Sequence, residues 1–221
     1  MTRLRLVATA PEGASTAELG PMAPVRLPPG RHGLPADLVR ANQRQRMLEA
    51  AAAALAEQGY GRVTAAGVTE LAGVSSRTFY QHFEDLWACL LAAYETEAAR
   101  LCEAIEGACA AVGVDDGDGA RVGIAAALDF LASEPTVARL LSAEPPPQVT
   151  VLAAARRELA ERLSGMLRRV LAEGGTTPLP GLERRLIGAA LALVAARSAG
   201  GDPRPLRELE PELSELLLVS L

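Results

Sequence analysis

The sequence predicts an all-α protein built from a small N-terminal helical domain and a larger C-terminal one. Apolar residues recur three and four positions apart along most of the chain, as on one face of a helix. The alternation of apolar and polar residues that is typical of strands is missing, and aromatic residues make up only 3% of the composition. With 221 residues, the chain is long enough for a small domain and a larger domain with its own core.

The first predicted helix lies between Asn42 and Gly59. Leu48, Ala51 and Leu55 are three or four positions apart and form one apolar stripe. Gly59 is expected to end the helix, because glycine readily adopts the conformation that follows a helix C-terminus. Residues 1–34, which precede this helix, are rich in alanine, proline and glycine, and are expected to form a flexible tail.

The segment TAAGVTELAGVSSRTFYQHF, which begins at Thr64, predicts two short helices joined by a tight turn. Thr64 and Ser75 are good N-cap residues, because each hydroxyl can accept a hydrogen bond from a free backbone amide. Gly73 suits the left-handed conformation that ends a helix. Val74 and Phe79 occupy the positions of a hydrophobic staple around the second cap. The segment therefore predicts a helix-turn-helix with its own apolar anchor.

The second short helix is expected to present a polar face. Ser76, Arg77 and Gln81 point away from the side that carries Phe79. In a DNA groove, Arg77 could bind guanine and Gln81 adenine with paired hydrogen bonds, each worth about 1–3 kcal/mol of discrimination. The alternative is a solvent-exposed helical hairpin with no nucleic-acid partner.

With its flanks, this segment resembles the DNA-binding domain of the TetR family of transcriptional repressors. The resemblance spans about Pro35 to Tyr94, and the predicted domain covers residues 35–85. It is carried by Gly59-Tyr60, Thr64, Ala72-Gly73-Val74-Ser75, Thr78-Phe79-Tyr80, His82-Phe83, Leu90 and Tyr94. It implies that Thr64, Ser75, Thr78, Tyr80 and His82 hold the phosphate backbone while Ser76, Arg77 and Gln81 meet base edges.

One departure from the family concerns Leu86, where TetR-like proteins commonly have a lysine that meets a phosphate. The preceding residues are Glu84 and Asp85, so the cation is missing. The chain as a whole has a net charge of -5, and its basic residues are arginines, five of which lie near or before the first helix: Arg26, Arg31, Arg40, Arg44 and Arg46. The missing cation predicts weaker or more salt-sensitive nonspecific DNA binding. The five arginines predict a positive field that is local and modest. The arginines of the tail could alternatively reach a DNA groove, as homeodomain arms do.

Residues 86–221 are expected to form a helical domain that binds an effector and dimerises. The predicted elements are a long helix from near Glu84 to Val112, a break over Asp115–Gly119, helices Arg121–Ser133, Pro135–Ala143, Gln148–Ala172 and Leu182–Ala199, and a last segment Pro205–Leu221 whose final helix starts at Pro211.

An apolar pocket for a small apolar or amphipathic effector is expected between these helices. Its candidate apolar lining is Leu101, Ile105, Leu128, Leu131, Leu140, Leu141, Val151 and Met166, with Arg100, Arg139, Glu144 and Arg156 as possible polar anchors. The alternative is that the apolar residues belong only to the core, as such stripes usually do.

The last two helices carry more apolar and small side chains than one chain needs, which predicts pairing with a second copy. The candidate interface residues are Leu186, Ala189, Leu193, Ala196, Leu213, Leu216 and Leu217. A twofold dimer would hold two recognition helices about 34–36 Å apart, the spacing of successive major grooves in a palindromic operator. The resemblance implies a repressor that an effector releases from DNA.

Catalysis, cofactors and metals are not expected, because the sequence has no phosphate-binding glycine loop, no metal-ligand cluster and no nucleophile with a base. Cys89, Cys102 and Cys109 are expected to be buried thiols, with redox sensing as the alternative. The apolar run Leu186–Ala196 is shorter than the ~20 residues that span a bilayer, so a soluble cytoplasmic protein is expected. A different class of function also fits: a helical ligand-binding or scaffold protein whose DNA-binding domain has lost affinity.

Overall fold

The computed structural model describes residues 35–112, 119–175, 180–198 and 206–219, and these form nine α-helices. They are α1 (Ala36–Gln58), α2 (Ala65–Ala72), α3 (Ser76–His82), α4 (Leu86–Val112), α5 (Gly119–Ser133), α6 (Pro135–Ser142), α7 (Thr150–Glu173), α8 (Leu182–Ser198) and α9 (Leu209–Val219). No strand occurs in these ranges. The predicted all-α fold is confirmed.

The turn between α2 and α3 is built by the residues that the sequence singled out. The Thr64 hydroxyl accepts a hydrogen bond from the Gly67 amide at 3.1 Å and so caps α2. Gly73 ends α2 in the left-handed conformation, with φ 60°, which a side chain would strain. Ser75 then caps α3 by accepting from the Thr78 amide at 3.0 Å. These local bonds fix the angle between the two short helices.

The long helix α4 connects the N-terminal helices to the rest of the fold. Near its start the Cys89 thiol lies 3.7 Å from the backbone oxygen of Met47 in α1. Leu90, Tyr94 and Leu101 are buried along its length, and α4 also packs against α5, α6 and α7. One hydrophobic core therefore extends from α1 to α9 along this helix.

Five helix starts differ from the predictions. α1 begins at Ala36, α5 at Gly119 and α7 at Thr150, rather than at Asn42, Arg121 and Gln148. α4 begins at Leu86 rather than at Glu84, because the Asp85 carboxylate accepts a hydrogen bond from the Ala88 amide at 2.7 Å and acts as the cap. α9 begins at Leu209, so Pro211 lies inside its first turn, where the missing amide hydrogen costs nothing.

Some predictions fall on residues that lie outside the described ranges. These are the tail 1–34 and the break over Asp115–Gly119 apart from Gly119, which begins α5. The side chain of Leu217 is likewise not described. The apolar run Leu186–Ala196 lies within α8, and among the described helices none is long and apolar enough to cross a membrane.

Candidate DNA-binding helix and effector cavity

The recognition candidate α3 is anchored on one side by aromatic packing. Phe79 is completely buried, and its ring lies 5.7 Å from the ring of Phe83. The Ser75 hydroxyl lies 2.8 Å from the Thr78 hydroxyl, in addition to its bond with the Thr78 amide. The buried rings hold one side of α3, and the two contacts of the Ser75 hydroxyl hold its first turn. We therefore expect α3 to have little freedom to rotate about its own axis.

The opposite side of α3 is exposed to solvent. Ser76, Arg77, Tyr80 and Gln81 all lie on this surface. Tyr80 is 61% exposed, while its ring meets the edge of the Phe79 ring at a centroid distance of 5.3 Å. The structure thus brings the predicted base-reading side chains together on one uncovered face, with the tyrosine hydroxyl held beside them.

His82, at the end of α3, is half-buried, and its surroundings favour the neutral form of the imidazole. Burial lowers the pKa of its imidazole, and the nearby guanidinium groups of Arg40 and Arg44 lower it further. The neutral ring can donate a hydrogen bond from one nitrogen but supplies no charge. Thr64 is exposed, and its hydroxyl also serves as the cap of α2.

The arginines of α1 divide into two roles that the sequence did not separate. Arg46 donates to the backbone oxygens of Ala72 and, at 3.3 Å, of Gly73, so its charge neutralises the C-terminal end of α2. Arg44 lies over the Phe83 ring, 5.4 Å from its centroid. Arg40 and Arg44 are four residues apart, a spacing that places both on the side of α1 near His82. That spacing was the signal for a positive surface beside α3.

Leu86 occupies the position where the family resemblance predicts a lysine. Its side chain packs against the hydrophobic core together with Trp87. Asp85 precedes it as the cap of α4, so the start of this helix carries an exposed acid and no cation. The positive charge close to α3 therefore comes from α1 rather than from α4.

A cavity of about 450 Å³ lies between α4, α5, α7, α8 and α9. Five of the predicted pocket residues line it: Leu101, Ile105, Leu128, Leu131 and Met166. Most of the remaining lining is also apolar or small. The volume falls within the roughly 300–1,000 Å³ that is usual for small-molecule pockets.

The small residues that line one wall of this cavity were not singled out from the sequence. Gly119, Gly123 and Ala127 are four apart on α5 and line one wall. A Cβ atom at Gly119 would come within 2.7 Å of the Val170 side chain on α7. This regular spacing of small residues was a usable signal, because it marks a helix side that approaches its neighbours closely.

The other predicted pocket residues lie elsewhere. Leu140 and Leu141 are buried in the core, and Val151 is 46% exposed. Arg100 forms ion pairs with Glu97 at 2.6 Å and Glu134 at 2.7 Å. Three further positions complete the set: Arg156 pairs with Glu144, and Arg139 donates to backbone oxygens of α1 and α8.

The predicted interface residues fall into two groups. Ala189 and Ala196 are exposed on α8, and Leu193 is half-buried beside them. Leu186, Leu213 and Leu216 line the cavity, and Leu216 is also 39% exposed. The α8–α9 region thus contributes both to the cavity wall and to the outer surface.

The thiols have the character of buried side chains. Cys89 and Cys102 are buried and Cys109 is half-buried, and none forms a disulfide. Burial raises the pKa of the Cys89 thiol to about 12, and it raises the pKa of the other two as well. Within the described residues, no three His, Cys, Asp or Glu side chains come together as metal ligands.

Residues 47–93 match the family model of bacterial regulatory proteins of the tetR family. This segment extends from the middle of α1 through α2 and α3 into α4, and so contains the whole helix-turn-helix. No curated protein sequence matches the chain.

Solved structures of transcriptional regulators share the fold over most of the chain. The fatty acid degradation regulator FadR from Bacillus halodurans is 20% identical, with a TM-score of 0.71 over 81% of this chain and 96% of that one. FadR from Bacillus subtilis, solved in complex with stearoyl-CoA, is 18% identical, with a TM-score of 0.66 over 80% and 98%. A TetR-like regulator from Rhodococcus sp. RHA1 is 20% identical, with a TM-score of 0.63 over 85% and 100%. The chain therefore carries the DNA-binding domain of the TetR family of bacterial regulatory proteins on the fold of TetR-like transcriptional regulators.

Proposed function

We propose that this protein is a transcriptional repressor that binds a palindromic operator as a homodimer and leaves it when an effector fills the cavity. The observation that carries the proposal is the position of α4. Its first turns pack on α1 beside the helix-turn-helix, and its later turns form a wall of the cavity through Leu101 and Ile105. A ligand that displaces this wall acts directly on the helix that supports α3.

The exposed face of α3 supports DNA reading. Arg77 and Gln81 can form paired hydrogen bonds with guanine and adenine, while Ser75, Thr78 and Tyr80 can reach phosphate oxygens. Neutral His82 would add a hydrogen bond rather than an ion pair, so Arg40 and Arg44 would supply the charge for the phosphates beside it.

The outer surface of α8 supports pairing with a second copy. Ala189 and Ala196 lie seven residues apart on one exposed side, and small side chains there allow the helices of two copies to approach closely. A twofold pair would give two α3 helices, as a palindromic site requires.

The cavity supports an effector with a long apolar part. Its walls are almost entirely aliphatic, and a relative with the same fold, FadR from Bacillus subtilis, was solved with stearoyl-CoA. Coupling between such a site and DNA affinity is expected to be about 1–3 kcal/mol.

The direct test is a gel shift of the purified protein with the DNA upstream of its own gene, together with selection of bound sequences from a random pool. A retarded complex at low salt and a selected palindrome are expected. If no DNA is bound at low salt and no sequence is enriched, the protein is instead a helical ligand-binding or scaffold protein with a weakened DNA-binding domain.

Arg77→Ala is expected to relax sequence preference at one position of each half-site by about 1–3 kcal/mol, because a paired contact with guanine is lost. The measurement is repeated selection from a random pool, with circular dichroism to show that the helices are intact. Tyr80→Phe is the comparison: it removes one hydroxyl from the same face and should weaken binding to all sequences about equally. An unchanged preferred sequence for the Arg77 variant would show that this side chain does not read a base.

Ala127→Trp is expected to abolish the response to effectors while leaving DNA binding in place, because the indole occupies the cavity from α5. The measurement compares the release of operator DNA by a cell extract or a purified ligand for the two proteins. Ala154→Trp, at an exposed position of α7 outside the cavity lining, is the control for the bulk of the new side chain. Full release by the Ala127 variant would place the effector elsewhere.

A further inference from the structure

The charged side chains that line the cavity belong to α4 and α7 and are exposed to solvent, so they mark its opening, called the mouth below. They are Glu106, Arg169 and Glu173. Every other lining residue is uncharged, so these three groups decide which polar head an apolar effector can carry. The inference rests on the proposed function, because it concerns the ligand of the same cavity.

Arg169 already has an anionic partner. One of its terminal nitrogens lies 3.5 Å from a carboxylate oxygen of Glu106, across the gap between α7 and α4. Both acids also lie near the Cys109 thiol, because the carboxylates of Glu106 and Glu173 raise its pKa in addition to burial. The mouth thus combines one arginine with two carboxylates and has an excess of one negative charge.

Two neighbouring arginines among the described residues do not reverse this excess. Arg168, the neighbour of Arg169, pairs with Glu183 at 2.5 Å. Arg121 of α5 pairs with Glu210 of α9 at 3.4 Å.

The electrostatic free energy of binding at the mouth would therefore be less favourable for an anionic head group than for a cationic one. A carboxylate or phosphate that binds Arg169 must compete with Glu106 and would leave two carboxylates facing a third anion. An ammonium group could pair with Glu173 and leave the pair between Arg169 and Glu106 intact. Opposite charges within about 4 Å attract and like charges repel, even when partly screened by water.

We propose that the effector is a cationic amphiphile, with an aliphatic chain in the cavity and an ammonium group at the mouth against Glu173. The same arrangement disfavours fatty acids and their coenzyme A esters, whose heads are anionic. The assignment gives Glu173 a specific role as the acidic contact of the ligand head.

The test is isothermal titration calorimetry of the full chain with three probes of one chain length, below their aggregation concentrations: dodecylammonium chloride, sodium dodecanoate and dodecanoyl-coenzyme A. Dodecylammonium is expected to bind most tightly, and Glu173→Gln is expected to weaken it about threefold to fivefold, as for an exposed ion pair. Glu158→Gln, at an exposed position of α7 outside the cavity lining, is the matched control and should bind all three probes like the original protein.

Two kinds of result would overturn the proposal, and they are distinguishable. If dodecanoate or its coenzyme A ester binds as tightly as the amine, or if the variants at Glu173 and Glu158 behave alike, the cationic head is wrong while the apolar effector site stands. If none of the three probes binds, and Ala127→Trp also leaves release of the operator unchanged, the cavity is not the effector site and the proposed function fails with it.

Discussion

Phe79→Ala is expected to lower the free energy of unfolding by about 3–5 kcal/mol and to abolish specific DNA binding. The side chain is completely buried between α3 and its neighbours, and its ring packs against both Phe83 and Tyr80. Truncation removes the only aromatic anchor that α3 itself directs into the core and leaves a cavity beneath the recognition face. The measurement is urea unfolding followed by circular dichroism, with a gel shift on the selected operator.

Tyr80→Ala is the matched control, since it removes an aromatic ring from the next residue of the same helix. Tyr80 is 61% exposed, so its loss should change the free energy of unfolding by less than about 1 kcal/mol. Similar losses of stability for both variants would mean that burial of Phe79 is not what holds α3. Burial of this ring would then not explain why the outer face of α3 is turned to solvent.

The helix-turn-helix could be predicted from the sequence because its signals are local. Thr64, Gly73 and Ser75 each act on a backbone group within a few residues, so their hydroxyl or their missing side chain predicts the helix ends directly. The contact of Arg46 with the end of α2 spans 26 residues. No periodicity predicts such a contact, since it exists only after α1 has packed against α2.

The cavity was harder to predict because an apolar stripe does not distinguish core from void. Leu131 and Leu140 have the same character in the sequence, yet Leu131 borders the cavity while Leu140 is buried in the core. The difference depends on how α5 packs, because Gly119 lets this helix approach α7 so closely that a Cβ atom there would come within 2.7 Å of Val170. The charged residues at the mouth were missed for a related reason, since most exposed acids and arginines on a helix face only solvent.

Arg139→Met is expected to lower the free energy of unfolding by about 1.5–3 kcal/mol and to weaken the effect of a bound ligand on DNA affinity. From α6, this guanidinium donates to the backbone oxygen of Ala56 at 3.3 Å and to that of Ser198 at 3.3 Å. Both oxygens belong to the last turns of α1 and α8, where helix carbonyls lack partners and where positive charge is favourable. One side chain therefore ties the helix that supports the DNA-binding surface to two helices of the larger domain.

The sequence suggested a different role for Arg139, as a polar anchor of the effector, and one pair of measurements separates the two. A structural tie predicts a loss of stability, faster hydrogen exchange at the end of α1 and an unchanged affinity for dodecylammonium or whichever probe binds the cavity. An effector anchor predicts the reverse: a lower affinity for the ligand, with the stability and the hydrogen exchange of the protein unchanged. Arg157→Met, at an exposed position of α7, is the control for the loss of one cation. Because Arg139 lies outside the cavity lining and reaches α1 directly, the first outcome is expected. A smaller effect of the bound ligand on DNA affinity in the same variant would be the evidence that this tie couples the larger domain to the DNA-binding helices.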